Sequence, residues 1–381
     1  MQYTEYELGE LLPFEQPTAY IVKSTDYSDA YATPVLTAGK SFILGKTNEP
    51  DGIFDQLPVI IFDDFTTATQ FVNFRFKVKS SAMKILHINT DLVIPKYIFY
   101  RLQIIRFDHS THKRYWIQSY SKIKVLIPPL DEQSRIVAHI EELFSELDKA
   151  VDTLKTTKEQ LEVYRQAVMK DAFQEKESII RLGDAIEKPR YGTSKKCDYP
   201  CTANSTAVLR IPNIDTKNGR VDSSDLKYAE FNEKELEQLS LKNGDILIIR
   251  SNGSVSLVGS SAIIRKCDTD KTYAGYLMRL RILNKEKLLP KYLLYYLSSP
   301  DARRYIESVA KSTSGVNNIN SQEISKLCVP LSSIEKQEKT VAEIEMKLSV
   351  YHEIEKSVDT VLVQADAMRQ SILKQAFEGA L

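Results

Sequence analysis

Three stretches of this chain carry the side chains that grip nucleic acid: cations for phosphates, hydroxyls and amides for base edges, and an aromatic close by. One is HSTHKRYW at 109–116, with His112, Lys113, Arg114 and the only tryptophan, Trp116. A second is KVKSSAMK at 77–84, with Lys79, Ser80, Ser81 and Lys84. The third pairs Arg250, Ser251 and Asn252 with the segment 311–318, which holds Lys311, Ser314, Asn317 and Asn318. Arginine matches the two acceptors of a guanine edge in the major groove, and asparagine matches the donor and acceptor of adenine. For each of these side chains a purely structural role competes, such as a solvated loop with Trp116 packed inward.

Other chemistry is missing. GKS at 39–41 and GKT at 45–47 look like the end of a phosphate loop, but Pro34 and Lys40 stand where its first glycine belongs. Asp63-Asp64 could be a metal pair, although a capped turn at a strand end explains it as well. Cys197 and Cys201 are four apart, with Cys267 and Cys328 far away, which is no zinc spacing. No motif supports catalysis.

The elements that must position these residues come in two copies. From Asp131 to about Phe173 runs a stretch without Pro or Gly. Its apolar residues Ile136, Ile140, Leu143, Leu147, Ala150, Leu154, Leu161, Tyr164 and Val168 alternate spacings of four and three, with only Thr157 interrupting. That is a heptad seam on one long helix. A second copy, from about Ile334 to Phe377, keeps the rhythm through Val341, Ile344, Leu348, Tyr351, Val358, Leu362, Ala365 and Ile372, with Glu355 and Arg369 in the seam. Polar residues match as well. Gln133, Glu141, Arg165, Gln166 and Lys170 recur at one constant offset as Gln337, Glu345, Arg369, Gln370 and Lys374. Shared polar residues at fixed offset indicate an internal duplication: domain, helix, domain, helix.

The expected parts are a globular domain at 1–130, a helix at 131–178, a second domain at 179–333 and a second helix at 334–381. In the first domain VIIF at 59–62 reads as a buried strand, FVNFRFKVK at 71–79 as a half-buried strand, and IPKYIFYRL at 94–102 as a helix opened by proline. The second domain answers with LPKYLLYYL at 289–297, RLGDAI against ELGELL, and LCVPL against VLIPPL. NGDILIIRSNG reads as turn, buried strand and loop, and 311–322 as a polar loop. The middles of the domains do not align.

An apolar content of 43% supports real cores. Net charge is zero, yet 179–333 carries 24 Lys/Arg against 17 Asp/Glu while 131–178 carries 7 against 12. The second domain is therefore basic and open to a polyanionic partner. Cysteine usage, no secretory signal and no long apolar run point to a soluble, cytoplasmic protein without a membrane partner.

The chain resembles the specificity (S) subunits of type I restriction–modification systems over essentially its whole length. The residues that carry this are IPPLDEQSRIV and VPLSSIEKQEKTV leading into the long helices, NGDILIIRSNG, and SGVNNINSQEISKLCVPL. EQPTAY, IIFDDFTTA, KSSAMK and HKRYWI are similar to one class of target-recognition domain. The resemblance implies an α+β fold: two mixed α/β target-recognition domains joined by two long antiparallel coiled-coil helices, with pseudo-twofold duplication. It implies that each domain reads one half of a split site in double-stranded DNA, with no catalysis and no cofactor on this chain. Two methyltransferase (M) subunits using S-adenosylmethionine would dock on the helices, and restriction (R) subunits, with ATP and Mg²⁺ where present, would join them. Helices of about 43 residues would be roughly 65 Å bars that space the half-sites. Val137, Phe144 and Val151, outside the seam as read, are expected to be covered by M subunits. The competing readings are a coiled-coil scaffold whose domains bind proteins, and a nuclease using Asp63 and Asp64.

Overall fold

The computed structural model describes residues 3–37, 41–107, 114–199, 202, 204–313 and 315–378. Two uninterrupted helices, Leu130–Asp171 and Ile334–Glu378, stand out. The chain divides into two units, Met1–Lys155 with Asp359–Leu381, and Thr156–Val358. Each unit thus holds one globular domain, the first part of one long helix and the last part of the other.

In unit 1 a strand pair closes the domain: Thr4–Glu7 runs antiparallel to Lys124–Ile127, and the Leu8 amide donates to the Ile123 carbonyl. A four-stranded sheet follows in the order Phe14–Glu15, Met83–Leu86, Val59–Asp63, Thr69–Val72. Every residue of Val59–Asp63 is buried. Ile60 and Phe62 enter a core with Leu8, Leu11 and Trp116, whereas Val59 and Ile61 enter another with Leu36, Phe76 and Val78. A strand covered on both faces is why its sequence is a continuous apolar run. The expected strand at 71–79 is instead broken. Thr69–Val72 pairs with Val59–Asp63, and Lys77–Val78 pairs in parallel with Thr33–Leu36 in a separate sheet. Burial does not alternate in the second fragment, where Phe76, Lys77 and Val78 are all enclosed.

Unit 2 solves the same problem with different residues. Ser178–Arg181 pairs with Cys328–Leu331, and the Leu182 amide donates to Leu327. Ile246–Ile249 lies inside a six-stranded sheet, with Ile246 and Ile248 in one core and Leu247 and Ile249 in another. The domain middles therefore share a layout of two cores on one buried strand without sharing sequence.

The duplicated polar residues are a joint between each domain and its long helix. Gln133 is fully buried. Its Oε1 accepts from the Ile94 amide (2.7 Å), and its Nε2 donates to the carbonyls of Leu92 (3.0 Å) and Pro128 (2.9 Å). In unit 2 Gln337 accepts from Leu289 (2.9 Å) and donates to Lys287 (2.8 Å) and Ser332 (2.9 Å). Each glutamine holds the start of a proline-capped helix, Pro95–Gln103 or Pro290–Leu297. Glu141 pairs with Lys96, and Glu345 pairs with Lys291 at 2.6 Å. Phe377 packs edge-on against Tyr97 (5.2 Å), and Phe173 against Tyr292 (5.1 Å). Burial pushes the Tyr97 hydroxyl up to about 12, so this ring stays neutral in its core.

Within each unit the two helices run in opposite directions. In unit 1 Ile140 clusters with Leu373 and Ala376, and Asp148 pairs with Arg369. In unit 2 the Tyr351 hydroxyl donates to Glu162, while Met169 packs in the core that holds Ile344 and Leu348. The seam of the second helix is as read from Val341 through Ile344, Leu348, Tyr351, Glu355, Val358 and Ala365, all buried, but Leu362 and Ile372 are only half-buried and Leu373 and Ala376 take the covered positions at its end. The seam of the first helix is corrected at alternate positions. Ala150 and Tyr164 are exposed, and the covered stripe passes through Gln133, Val137, Ile140, Leu161 and Val168. Val137 lies in the unit 1 core, and Phe144 packs on Tyr100 at 5.6 Å beneath the Arg369 guanidinium. Val151 is half-buried. The helix pair and the domain already cover this stripe, so it is not the face left for a partner.

Candidate nucleic-acid interface

The third stretch is assembled by the fold. Ser251–Asn252 pairs antiparallel with Val316–Asn318, placing Ser251 opposite Asn318 and Asn252 opposite Asn317. Val316–Asn318 pairs in turn with Lys311–Thr313. The expected polar loop is therefore a hairpin followed by a short helix, Ser321–Ser325. Gly315 takes φ +78° at the bend, a conformation that costs a residue without Cβ little. Ser314 lies outside the described residues. The carboxamides are partly engaged: Asn252 accepts from the Ser254 amide (2.9 Å), and Asn317 donates to the Gly253 carbonyl (2.9 Å). Each keeps one end of its amide for a further partner.

Arg250 sits behind this hairpin. Its guanidinium lies 4.5 Å from the centre of the Tyr191 ring and donates through Nη1 to the Gly275 carbonyl (3.1 Å). The buried Nε has no hydrogen-bond partner among the described residues. Gly192 brings Tyr191 there, since a Cβ at that position would stand 2.2 Å from the Tyr273 carbonyl oxygen. Only glycine lets the two backbones pass so closely.

Beside Arg250 opens a cleft of about 650 Å³, lined among others by Lys195, Lys196, Arg210, Lys227, Ser251 and Tyr276. Three of its cations already face a carboxylate. Asp225 is held below the usual carboxylate range by hydrogen bonds from Tyr199 and Arg210, and Glu235 by hydrogen bonds from Lys195 and the Asn232 amide. Lys196 in turn lies 3.5 Å from Asp198, so Arg250 and Lys227 carry the remaining positive potential, with Tyr276 exposed at the rim. These lysines and tyrosines were not singled out in the sequence, because they are scattered over many residues and meet only in the fold. The basic balance of 179–333 was their one advance signal. Burial pushes the Cys197 thiol up, away from nucleophilic use.

In unit 1 the expected residues are less concentrated. Ser80 and Arg114 are exposed, Ser81 is half-buried, and Lys79 lies over the Tyr27 ring at 5.8 Å. His112 and Lys113 lie outside the described residues. Trp116 is buried against Phe62 (4.9 Å) and Tyr120 (5.9 Å), so it is core and not a stacking platform. Lys84 is a correction: it is enclosed, with its Nζ 3.2 Å from the buried carboxylate of Asp64. It cannot reach a phosphate without abandoning that partner. Asp63 caps its own turn, accepting from the Phe65 amide (2.9 Å) and the Thr66 hydroxyl (2.7 Å). The two aspartates are thus spoken for by structural contacts, contrary to the nuclease reading. Among the described residues no group of His, Cys, Asp and Glu could hold a metal, and no helix is long and apolar enough to cross a membrane.

No family model matches the chain. It is 34% identical over 360 residues to the type I restriction enzyme EcoR124I/EcoR124II specificity subunit of Escherichia coli, a match covering 88% of this chain and 84% of that one. It is 29% identical over 278 residues to the EcoKI specificity subunit of Escherichia coli strain K12, covering 69% and 59%. Among solved structures it superposes with a TM-score of 0.70, at 16% identity and over 100% and 98% of the two chains, on a chain from work on complex assembly and conformational transition of the type I R-M system. The HsdS subunit from Thermoanaerobacter tengcongensis follows at a TM-score of 0.54, again at 16% identity, over 100% and 97%.

Proposed function

This chain belongs to the specificity subunits of type I restriction enzymes, and from that premise we propose that each of its domains reads one half of a split site in duplex DNA. As a specificity subunit it recognises DNA and is not itself catalytic, and it works within an assembly of modification and restriction subunits. The scaffold reading is not favoured by these relatives. In our reading two M subunits dock per chain and methylate adenine with S-adenosylmethionine, while R subunits bring ATP and Mg²⁺, and the complex acts in the cytoplasm. The observation that supports the DNA site most is the pairing of Ser251-Asn252 with Asn317-Asn318 in front of Arg250, beside the basic cleft. In unit 1 the reading surface we propose comprises Lys79, Ser80, Ser81 and Arg114, with His112 and Lys113.

Arg250→Ala and Asn252→Ala should each weaken discrimination at one half-site by about 1–3 kcal/mol, the worth of one base contact. The Arg250 backbone bonds to Tyr276 and Ile319 remain in the variant, so the strand persists. Competition binding with duplexes mutated in either half measures this. Equal losses in both halves from a single substitution would refute one domain per half-site.

For M docking the exposed side chains of the long helices point elsewhere than the stripe first expected. Met346, Val350 and Ile354 are 62%, 52% and 40% exposed, four residues apart on one helical face. A patch of this kind suits a permanent partner. Val350→Glu with Met346→Glu should weaken co-elution with the M subunit at least tenfold while leaving the thermal midpoint of the isolated chain unchanged. Unaltered co-elution would place the M subunit on another face.

A further inference from the structure

The duplication supplies an internal control for a second cleft in unit 2. In unit 1 Arg369 is satisfied, ion-paired with Asp148 and lying 5.2 Å above the Phe144 ring. Its repeat is Arg165. At the constant offset of the duplication, His352 stands where Asp148 does, and Leu348 where Phe144 does. Arg165 has therefore lost both its counter-charge and its aromatic platform. It is half-buried and makes no hydrogen bond or ion pair among the described residues.

Arg165 lines a cleft of about 600 Å³ together with Lys217, Gly219, Arg220, His352 and Glu353. Most of the opposite charges around it cancel. Lys217 pairs with Glu355 (2.9 Å), and Glu345 takes Lys291 (2.6 Å) and the Tyr295 hydroxyl (3.3 Å). Two guanidinium groups, Arg165 and Arg220, are left over, with only exposed Glu353 at the rim. Guanidinium forks match the paired oxygens of a phosphate or a carboxylate, and two of them without a counter-charge suit the more highly charged phosphate.

We propose that this cleft binds a phosphate group, with Arg165 and Arg220 donating charge-assisted hydrogen bonds. The site is separate from the reading surface and carries no sequence information. The phosphate comes either from the backbone of a bound duplex or from a free phosphate.

The test uses the chain assembled with its M subunit. Calorimetric titration with inorganic phosphate should show binding, and Arg165→Gln/Arg220→Gln should weaken it at least tenfold. Neither arginine side chain hydrogen-bonds or ion-pairs with another described residue, so the thermal midpoint should move little, and Arg165→Lys/Arg220→Lys should recover part of the binding. A second arm measures affinity for a duplex lacking the target site across a salt series. If the phosphate belongs to DNA, the slope of log K against log salt falls by about 1 in the Gln variant, the share of one phosphate contact. If it is free phosphate, the slope stays while phosphate binding is lost. Half-site preference is unchanged in both, which separates this result from the assignment of the reading surface. Wild-type complex that takes up no phosphate, with a slope equal to that of the variant, overturns the proposal. So does a Gln variant that binds phosphate as tightly as wild type.

Discussion

Replacing Lys84 by alanine should destabilise unit 1 by about 3–5 kcal/mol, the usual cost of leaving one member of a buried ion pair alone. Both side chains of the Lys84–Asp64 pair are only 1% exposed. Asp64 would keep one hydrogen bond, from the Trp116 amide at 2.9 Å, and would face the core as an uncompensated carboxylate. Domains are stable by roughly 5–15 kcal/mol, so the variant should lie near the edge of folding at growth temperature. The double variant Lys84→Met/Asp64→Asn removes the charge and keeps an acceptor for the Trp116 amide, and should recover most of the loss. Urea midpoints followed by tryptophan fluorescence report on this directly, because the single tryptophan lies in the core concerned. A Lys84→Ala chain with an unchanged midpoint and weaker DNA binding would return Lys84 to the surface role first expected of it.

Gln133→Ala should cost about 3 kcal/mol or more. It leaves the Ile94 amide and the Leu92 and Pro128 carbonyls without their side-chain partner, and each buried group left unpaired costs roughly 1–3 kcal/mol. Water entering the space returns part of that. Gln133→Glu should be no better than alanine, since it points a carboxylate oxygen at two carbonyl oxygens in a buried site. The loss should be local: amide exchange should rise in Pro95–Gln103 and stay at wild-type level in Pro290–Leu297, which Gln337 holds. Gln337→Ala should show the converse. Exchange rising in both helices from either change would mean that the joints are not independent.

The frame was legible because its contacts are made by polar residues that recur. Gln133 and Gln337, Glu141 and Glu345, and Phe173 and Phe377 are matched in sequence and perform matched contacts. The phase of the first long helix was harder to read because the true stripe includes Lys158 and Arg165 while its neighbours Leu143, Ala150 and Tyr164 are apolar. Hydrophobicity alone chose the wrong alternate positions. The offset from the second helix, whose Val341, Leu348 and Tyr351 are buried, contained the right phase. Arg250–Asn252 and Asn317-Asn318 could be named together because amide-rich segments flank a buried strand. Lys84 was misjudged because the composition of a short stretch says nothing about a partner twenty residues away in sequence. Lys196, Lys227 and Tyr276 were missed for the same reason: only tertiary folding gathers them.

The central claim, one domain for each half of a split site, is tested most directly by mapping methylated adenines in cells that carry this chain and its M subunit, with and without Arg250→Ala. The account predicts a single two-part motif with an undefined gap of fixed length for the wild type. In the variant, one half should lose base preference while the other half and the gap are kept. A continuous motif, or preference lost in both halves at once, would contradict it.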